Sequence, residues 1–268
     1  MNPFSCTIVQ FDVPLEEPKA ETLSRMTAAI EAADADLVVF PELATTGYHV
    51  FDRLDDLAEP VGGETTETLG AAADAADSEV LFGMPLADGD AVYNAAVWLD
   101  SDGDVRARYD KRHLWGDERD AFDAGERYLV VEAPFGRVGV QICYDLAFPE
   151  ASAALAREEC DLFVNLSAWT VKMERDWQTL LPARAVEQGA YVIGCNRAGT
   201  EAGGSFCGSS MVVEPDGTTI SEMGNEAGRL TATLEPGIVT AERRRNPMRV
   251  DRQDDRIDAQ STESKTSY

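Results

Sequence analysis

The chain has 268 residues, 44% of them hydrophobic, which is enough to bury one large α/β core or two small ones. Its 49 acidic and 23 basic residues give a formal charge of −26, a field that repels nucleic acid and anionic membranes and argues against both as partners. Cys6, Cys143, Cys160, Cys195 and Cys207 are widely spaced with no CxxC pair, and only two histidines accompany them, so no disulfide framework and no metal site is expected.

In chain order, short apolar runs rich in β-branched residues predict strands over 6–11, 37–40, 80–84, 95–99, 128–132, 138–143, 162–166, 191–195, 210–213 and 229–234. Longer amphipathic or Ala-rich stretches predict helices over 19–33, 65–76, 150–157 and 177–188. Asp-Gly pairs at 88–89, 102–103 and 216–217 mark turns, and 96–108 and 210–222 read as hairpins. The mixture implies an α/β protein whose sheets carry helices on their outer faces. No linker or repeat interrupts it. The reading is one domain over 1–245, then a charged tail over 246–268, partly disordered or docked on a partner subunit.

The first ten residues already read as strand and carry no basic region, so no secretory signal is expected. No apolar run reaches the length of a membrane span. A cytoplasmic protein with reduced thiols follows as the expectation. The acidic residues are spread along the whole chain, which points to adaptation to high salt, where screening shortens the Debye length to ~3 Å near 1 M.

Three positions place a reactive side chain at or just beyond a strand end, where α/β proteins build their sites. Glu42 follows the run Leu-Val-Val-Phe-Pro, and desolvation there raises a carboxylate towards a useful base. Lys111, in Tyr109-Asp-Lys-Arg-His-Leu114, is one of only four lysines in a chain that otherwise uses arginine, which suggests a need for a compact ammonium. Cys143 ends the run Val-Gly-Val-Gln-Ile and opens a turn, so its thiol is presented beside free backbone N–H groups. The bland reading for each is a solvated acid, a surface lysine and a small core residue. The other four cysteines take that core reading.

Together, Pro41-Glu42, Lys111-Arg-His-Leu114 and Cys143-Tyr-Asp145 resemble, in this order and spacing, the nitrilase superfamily of carbon–nitrogen hydrolases. The likeness extends through Asn94, Glu118 with Phe122 and Gly125, Ala183-Arg-Ala-x-Glu187, Asn196-Arg-x-Gly199, Phe206-x-Gly-x-Ser210 and Pro215-x-Gly217, over roughly residues 4–235. It implies a four-layer αββα sandwich, usually assembled as homodimers or larger homo-oligomers, and no cofactor. It implies a Glu42–Lys111–Cys143 triad that cleaves a small amide to acid and ammonia through a thioester. Glu118 would then orient Lys111 or substrate, and the Tyr144 N–H would join Lys111 in holding the oxyanion.

Tyr144-Asp145 after the cysteine looks more like the amidase branches than the nitrilases, which commonly carry Trp-Glu. The Ala168-Trp169 … Trp177 segment is similar to small amidases acting on ω-amides of 2-oxo acids, but those often have Arg where this chain has Ala147. N-carbamoyl compounds and nitriles stay open as substrates. Tyr48, Trp115, Phe148 and Trp169 are candidates to line the pocket. Three rival readings are a papain-like hydrolase with His113 as base, a non-catalytic scaffold of the same fold, and a metal-dependent phosphohydrolase, for which two histidines are few.

Overall fold

A computed structural model describes residues 2–251. The first half of the chain supplies five strands of one six-stranded sheet. It contains β1 (Phe4–Gln10), β2 (Leu37–Val39), β3 (Glu79–Asp88), β4 (Ala91–Leu99) and β5 (Val105–Asp110). Helices α1 (Lys19–Glu31), α2 (Leu54–Leu57), α3 (Glu64–Ala76) and α4 (Glu118–Ala121) lie between or just after them. The second half supplies β6 (Leu129–Ala133), β7 (Gly136–Ile142), α5 (Pro149–Arg157), β8 (Leu162–Ser167), α6 (Glu174–Gln188) and β9 (Tyr191–Asn196). A short ribbon follows, β10 (Thr200–Glu201) with β11 (Gly204–Ser205), then β12 (Met211–Val213), β13 (Thr219–Glu222), β14 (Gly228–Leu234), α7 (Pro236–Arg245) and α8 (Met248–Asp251).

Strand order is β14-β1-β2-β3-β4-β5 in the first sheet and β13-β12-β9-β8-β7-β6 in the second. Each sheet has a parallel centre, β1–β2–β3 or β7–β8–β9, flanked by antiparallel strands. The carboxyl ends of the parallel strands are therefore free to carry a site.

Alternation along the strands sets the layers. Leu37, Val39, Leu81 and Trp98 face inward and meet Val138, Val140, Ile142 and Val164 of the second sheet. Val38, Phe40, Val80, Phe82 and Val97 face outward, onto Leu23, Met26 and Ile30 of α1 and Leu69, Ala72 and Ala73 of α3. The α1 residues recur at a helical spacing, so the stripe that makes the helix also buries it. On the other side α5 and α6 bring Leu155, Trp177 and Leu181 to the second sheet. Each such side chain contributes on the order of 1.5–3 kcal/mol by leaving water. The expected αββα sandwich is what forms.

The ten predicted strands and four predicted helices are all present, with shifted ends. Helix α7 is a correction, since so polar a stretch gave no apolar periodicity beyond 234. It starts on Pro236, buries Val239, and ties Glu242 to Arg245 through both carboxylate oxygens. Of the expected tail, residues 246–251 include α8, and Arg249 donates to the carbonyls of Ala156 and Cys160. The remainder of the tail lies outside the described residues. Among the described residues no helix is long and apolar enough to cross a membrane.

Candidate active site

Glu42 sits two residues beyond the predicted strand core, where the chain leaves β2. The extended exit is held by β3: Phe40 N–H donates to Leu81 O at 2.8 Å, and Gly83 N–H donates to Pro41 O at 3.2 Å. Gly83 is required by space. A β-carbon there would lie 2.5 Å from Leu43 N and 2.7 Å from Glu42 Cα. Leu43 itself is at φ +47°, a left-handed conformation that costs a non-glycine residue about 1–3 kcal/mol.

Lys111 follows β5. Its N–H donates to Asn94 O of β4 at 2.9 Å, and its carbonyl accepts from Gly125 N–H at 2.9 Å. Tyr109 and Lys111, two residues apart, share a face of that strand and both reach inward. Cys143 opens a 3-10 turn, Cys143–Ala147, directly after β7. Its φ is +47° and its side chain is almost buried. A non-glycine residue strained at a strand-to-turn elbow is a recurrent setting for a nucleophile.

The turn is fastened at three points. Asp145 accepts from Ile142 N–H at 3.0 Å and Tyr109 O–H at 2.7 Å through Oδ2. Its Oδ1 takes His113 N–H at 3.0 Å and His113 Nδ1 at 2.7 Å. Arg184 of α6 donates from Nε and Nη2 to Leu146 O, both at 3.1 Å. Asp145 thus links the Cys143 turn to the segment that carries Lys111.

Glu42, Lys111 and Glu118 are all fully buried and form one network. Lys111 Nζ donates to Glu42 Oε1 at 2.6 Å and to Glu118 Oε1 at 2.8 Å. Asn94 Nδ2 donates to Glu42 Oε1 at 2.7 Å, and Ala168 N–H to Glu42 Oε2 at 2.9 Å. Tyr48 O–H donates to Glu118 Oε1 at 2.7 Å, and Trp115 N–H to Glu118 Oε2 at 2.9 Å. Buried charges persist only when paired and hydrogen-bonded in this way.

The electrostatics follow from burial. Desolvation pushes Glu42 above the usual carboxylate range; Lys111 opposes this and Glu118 reinforces it. Burial alone would lower Lys111, but Glu42 and Glu118 outweigh it and hold the ammonium charged. Burial also drives the Cys143 thiol well up, Glu42 adds to this, and Lys111 opposes both. The ammonium does favour a thiolate, but burial and Glu42 outweigh it. The resting pair is a thiol beside a carboxylate of raised basicity.

A cavity of ≈ 140 Å³ opens on Cys143, walled by Tyr48, His49, Trp115, Tyr144, Trp169 and Met173, with Ala168 and Thr170. It is well below the ~300–1,000 Å³ typical of pockets for drug-sized ligands. None of these wall residues is Arg or Lys.

Tyr48, Trp115 and Trp169 are therefore brought together as expected, and the ring of Tyr144 joins them. Phe148 stands apart from the wall, stacked on His113 at 3.8 Å and edge-on to Tyr144 at 5.0 Å. His113 Nδ1 is held by Asp145 and its ring stacks on Phe148, and among the described residues no hydrogen bond joins it to Cys143, so the papain-like reading gains no support. The scaffold reading loses ground because all three reactive groups converge. Sequence reasoning missed Ala168, whose contribution is a backbone N–H and leaves no side-chain signal. It also missed His49, Thr170 and Met173, and the reason for Gly83.

Residues 7–244 match the family model described as carbon-nitrogen hydrolase. The chain is 34% identical to an (R)-stereoselective amidase of a Pseudomonas species over 228 residues, covering 84% of this chain and 83% of that protein. It is 29% identical to 2-oxoglutaramate amidase of Bacillus subtilis, covering 87% of this chain and 91% of that one. Among solved structures it resembles XC1258 of Xanthomonas campestris, a CN-hydrolase superfamily protein with an arsenic adduct in its active site. That likeness has a TM-score of 0.86 at 27% identity, over 96% of this chain and 100% of the other.

Proposed function

We propose that this chain, which belongs to the carbon–nitrogen hydrolase family, cleaves a small uncharged carboxamide to the carboxylic acid and ammonia with Cys143 as nucleophile. The observation that carries the reading is the buried Glu42–Lys111–Glu118 network acting on the Cys143 thiol beside a small aromatic cavity.

The chemistry follows from the protonation states. As Cys143 Sγ bonds the carbonyl carbon, its proton passes to Glu42, whose raised pKa makes it a competent acceptor. Lys111 Nζ has three N–H donors, and two are spent on Glu42 and Glu118. The third, with the N–H of Tyr144, is assigned to the tetrahedral oxyanion. Collapse breaks the C–N bond, and the proton on Glu42 leaves with the nitrogen as ammonia. A thioester remains on Cys143. Glu42 then takes a proton from water, the resulting hydroxide attacks the thioester carbon, and acid and thiol are released. Glu118, Tyr48 and Asn94 hold Lys111 and Glu42 in place. The three reactive groups are coupled, so their titration belongs to the set.

The wall offers no fixed cation to a substrate carboxylate. This favours a neutral acyl group over an ω-amide of a dicarboxylic acid. An ammonia-release screen over neutral aliphatic amides, ω-amides, N-carbamoyl compounds and nitriles tests the assignment, with Cys143→Ala as control. Small neutral amides should turn over fastest. Nitrile turnover far above amide turnover would move the chain to another branch. Assembly as a homo-oligomer forms part of the same reading, and light scattering at assay concentration checks it.

A further inference from the structure

We propose that His49 is a specificity-determining residue: its imidazole Nε2 accepts a hydrogen bond from a hydroxyl or amino group on the acyl part of the substrate. The proposal rests on the amide-hydrolase reading above and names the substrate class for the same cavity.

Outside the Glu42–Lys111–Glu118 network, the cavity wall is backed by a second buried charged pair, Arg197 with Glu201. Arg197 is fully buried, donates to Val13 O at 3.0 Å and lies over the Phe206 ring at 4.7 Å. Glu201 Oε1 faces Arg197. Its Oε2 is turned to the loop that forms the cavity wall, where it accepts from Tyr48 N–H at 2.9 Å and His49 N–H at 3.0 Å. The same oxygen lies 3.3 Å from His49 Nδ1.

One carboxylate therefore fixes both the backbone and the ring of His49. A carboxylate oxygen only accepts, so the proton of the neutral ring sits on Nδ1. That leaves Nε2 as an acceptor, on a half-exposed ring that walls the cavity. No hydrogen bond from another described side chain meets Nε2. The negative charge of Glu201 is already matched by the buried Arg197. Two other polar groups in the wall are committed elsewhere: Tyr48 O–H to Glu118 at 2.7 Å and Trp169 Nε1 to Met173 O at 2.7 Å. A wall built mainly of aromatic rings with one pre-oriented acceptor selects a small acyl group that carries a matching donor.

The test compares propionamide with 2-hydroxypropionamide and 3-hydroxypropionamide in wild type, His49→Phe and His49→Gln. Phe keeps a ring against the wall and removes the acceptor; Gln returns an acceptor oxygen. A neutral hydrogen bond is worth ~0.5–1.5 kcal/mol, roughly a two- to twelvefold preference. Wild type should therefore favour one hydroxyamide over propionamide in kcat/KM by that factor. His49→Phe should bring the ratio to about one, and His49→Gln should recover part of it.

A ratio unchanged in His49→Phe, with both substrates slowed equally, makes His49 a mere wall and overturns the inference. So does a wild-type preference for succinamate over every neutral amide, because that requires a donor at this position. Both outcomes leave amide hydrolysis standing. If none of these amides releases ammonia in a Cys143-dependent manner, the underlying reading fails and the inference with it.

Discussion

Gly83→Ala adds one methyl group where β3 passes the backbone of the proposed general base. The added carbon would lie 2.5 Å from Leu43 N, 2.7 Å from Glu42 Cα and 2.8 Å from Pro41 O. All three are backbone atoms, so none can swing aside. Moving from 2.5 Å to the 3.4 Å at which ordinary contact begins is a retreat of about 0.9 Å. Overpacking of this kind costs ~1–3 kcal/mol of stability. A displacement near 1 Å at a catalytic group can cost ~10²-fold in rate. Glu42 cannot absorb it by rotation, because both carboxylate oxygens are engaged by Lys111, Asn94 and Ala168. The assay is kcat for ammonia release beside the thermal melt, with circular dichroism to establish the folded fraction. The expected result is a cooperative melt at lower Tm and a kcat about 100-fold down per folded molecule. A kcat within threefold of wild type at unchanged Tm would refute the argument that β3 positions Glu42.

Glu118→Gln removes a charge that raises Glu42, so the acid limb of kcat/KM should move to lower pH, read from a profile between pH 4 and 8. His113→Ala removes a ring that binds Asp145 rather than the thiol; activity should fall by about tenfold and not to the level of Cys143→Ala, and equal loss in the two would revive His113 as base. The formal charge of −26 should make stability rise with salt, so Tm in 2 M KCl is expected to exceed Tm at low ionic strength; an unchanged Tm would remove the case for salt adaptation.

The architecture was legible because its determinants are local. Runs such as Leu37-Val-Val-Phe40 are apolar on both faces, as strands buried between a second sheet and a helix layer must be. Glu42, Lys111 and Cys143 were legible because each combines a reactive side chain with a strand end. What stayed hidden depends on tertiary approach. Gly83 reads in sequence as a weak strand position, and only the passing Glu42 backbone explains it. Asp145 reads in sequence as part of the Cys143-Tyr-Asp motif, but nothing there shows that it joins Tyr109, His113 and Ile142. Tyr109 was within reach, since strand alternation puts it on the face of Lys111. Helix α7 escaped because its stability comes from Val239 and from ion pairs such as Arg243 with Asp161, not from an apolar stripe.

The central claim is that the acyl group is carried on Cys143. Acid-quenched turnover of a small neutral amide, followed by mass spectrometry of the digested protein, tests it most directly. The account predicts a mass gain equal to the acyl group on the peptide containing Cys143, with hydrolysis abolished in Cys143→Ala. Turnover that persists in Cys143→Ala, or an acyl group found on another residue, would contradict it.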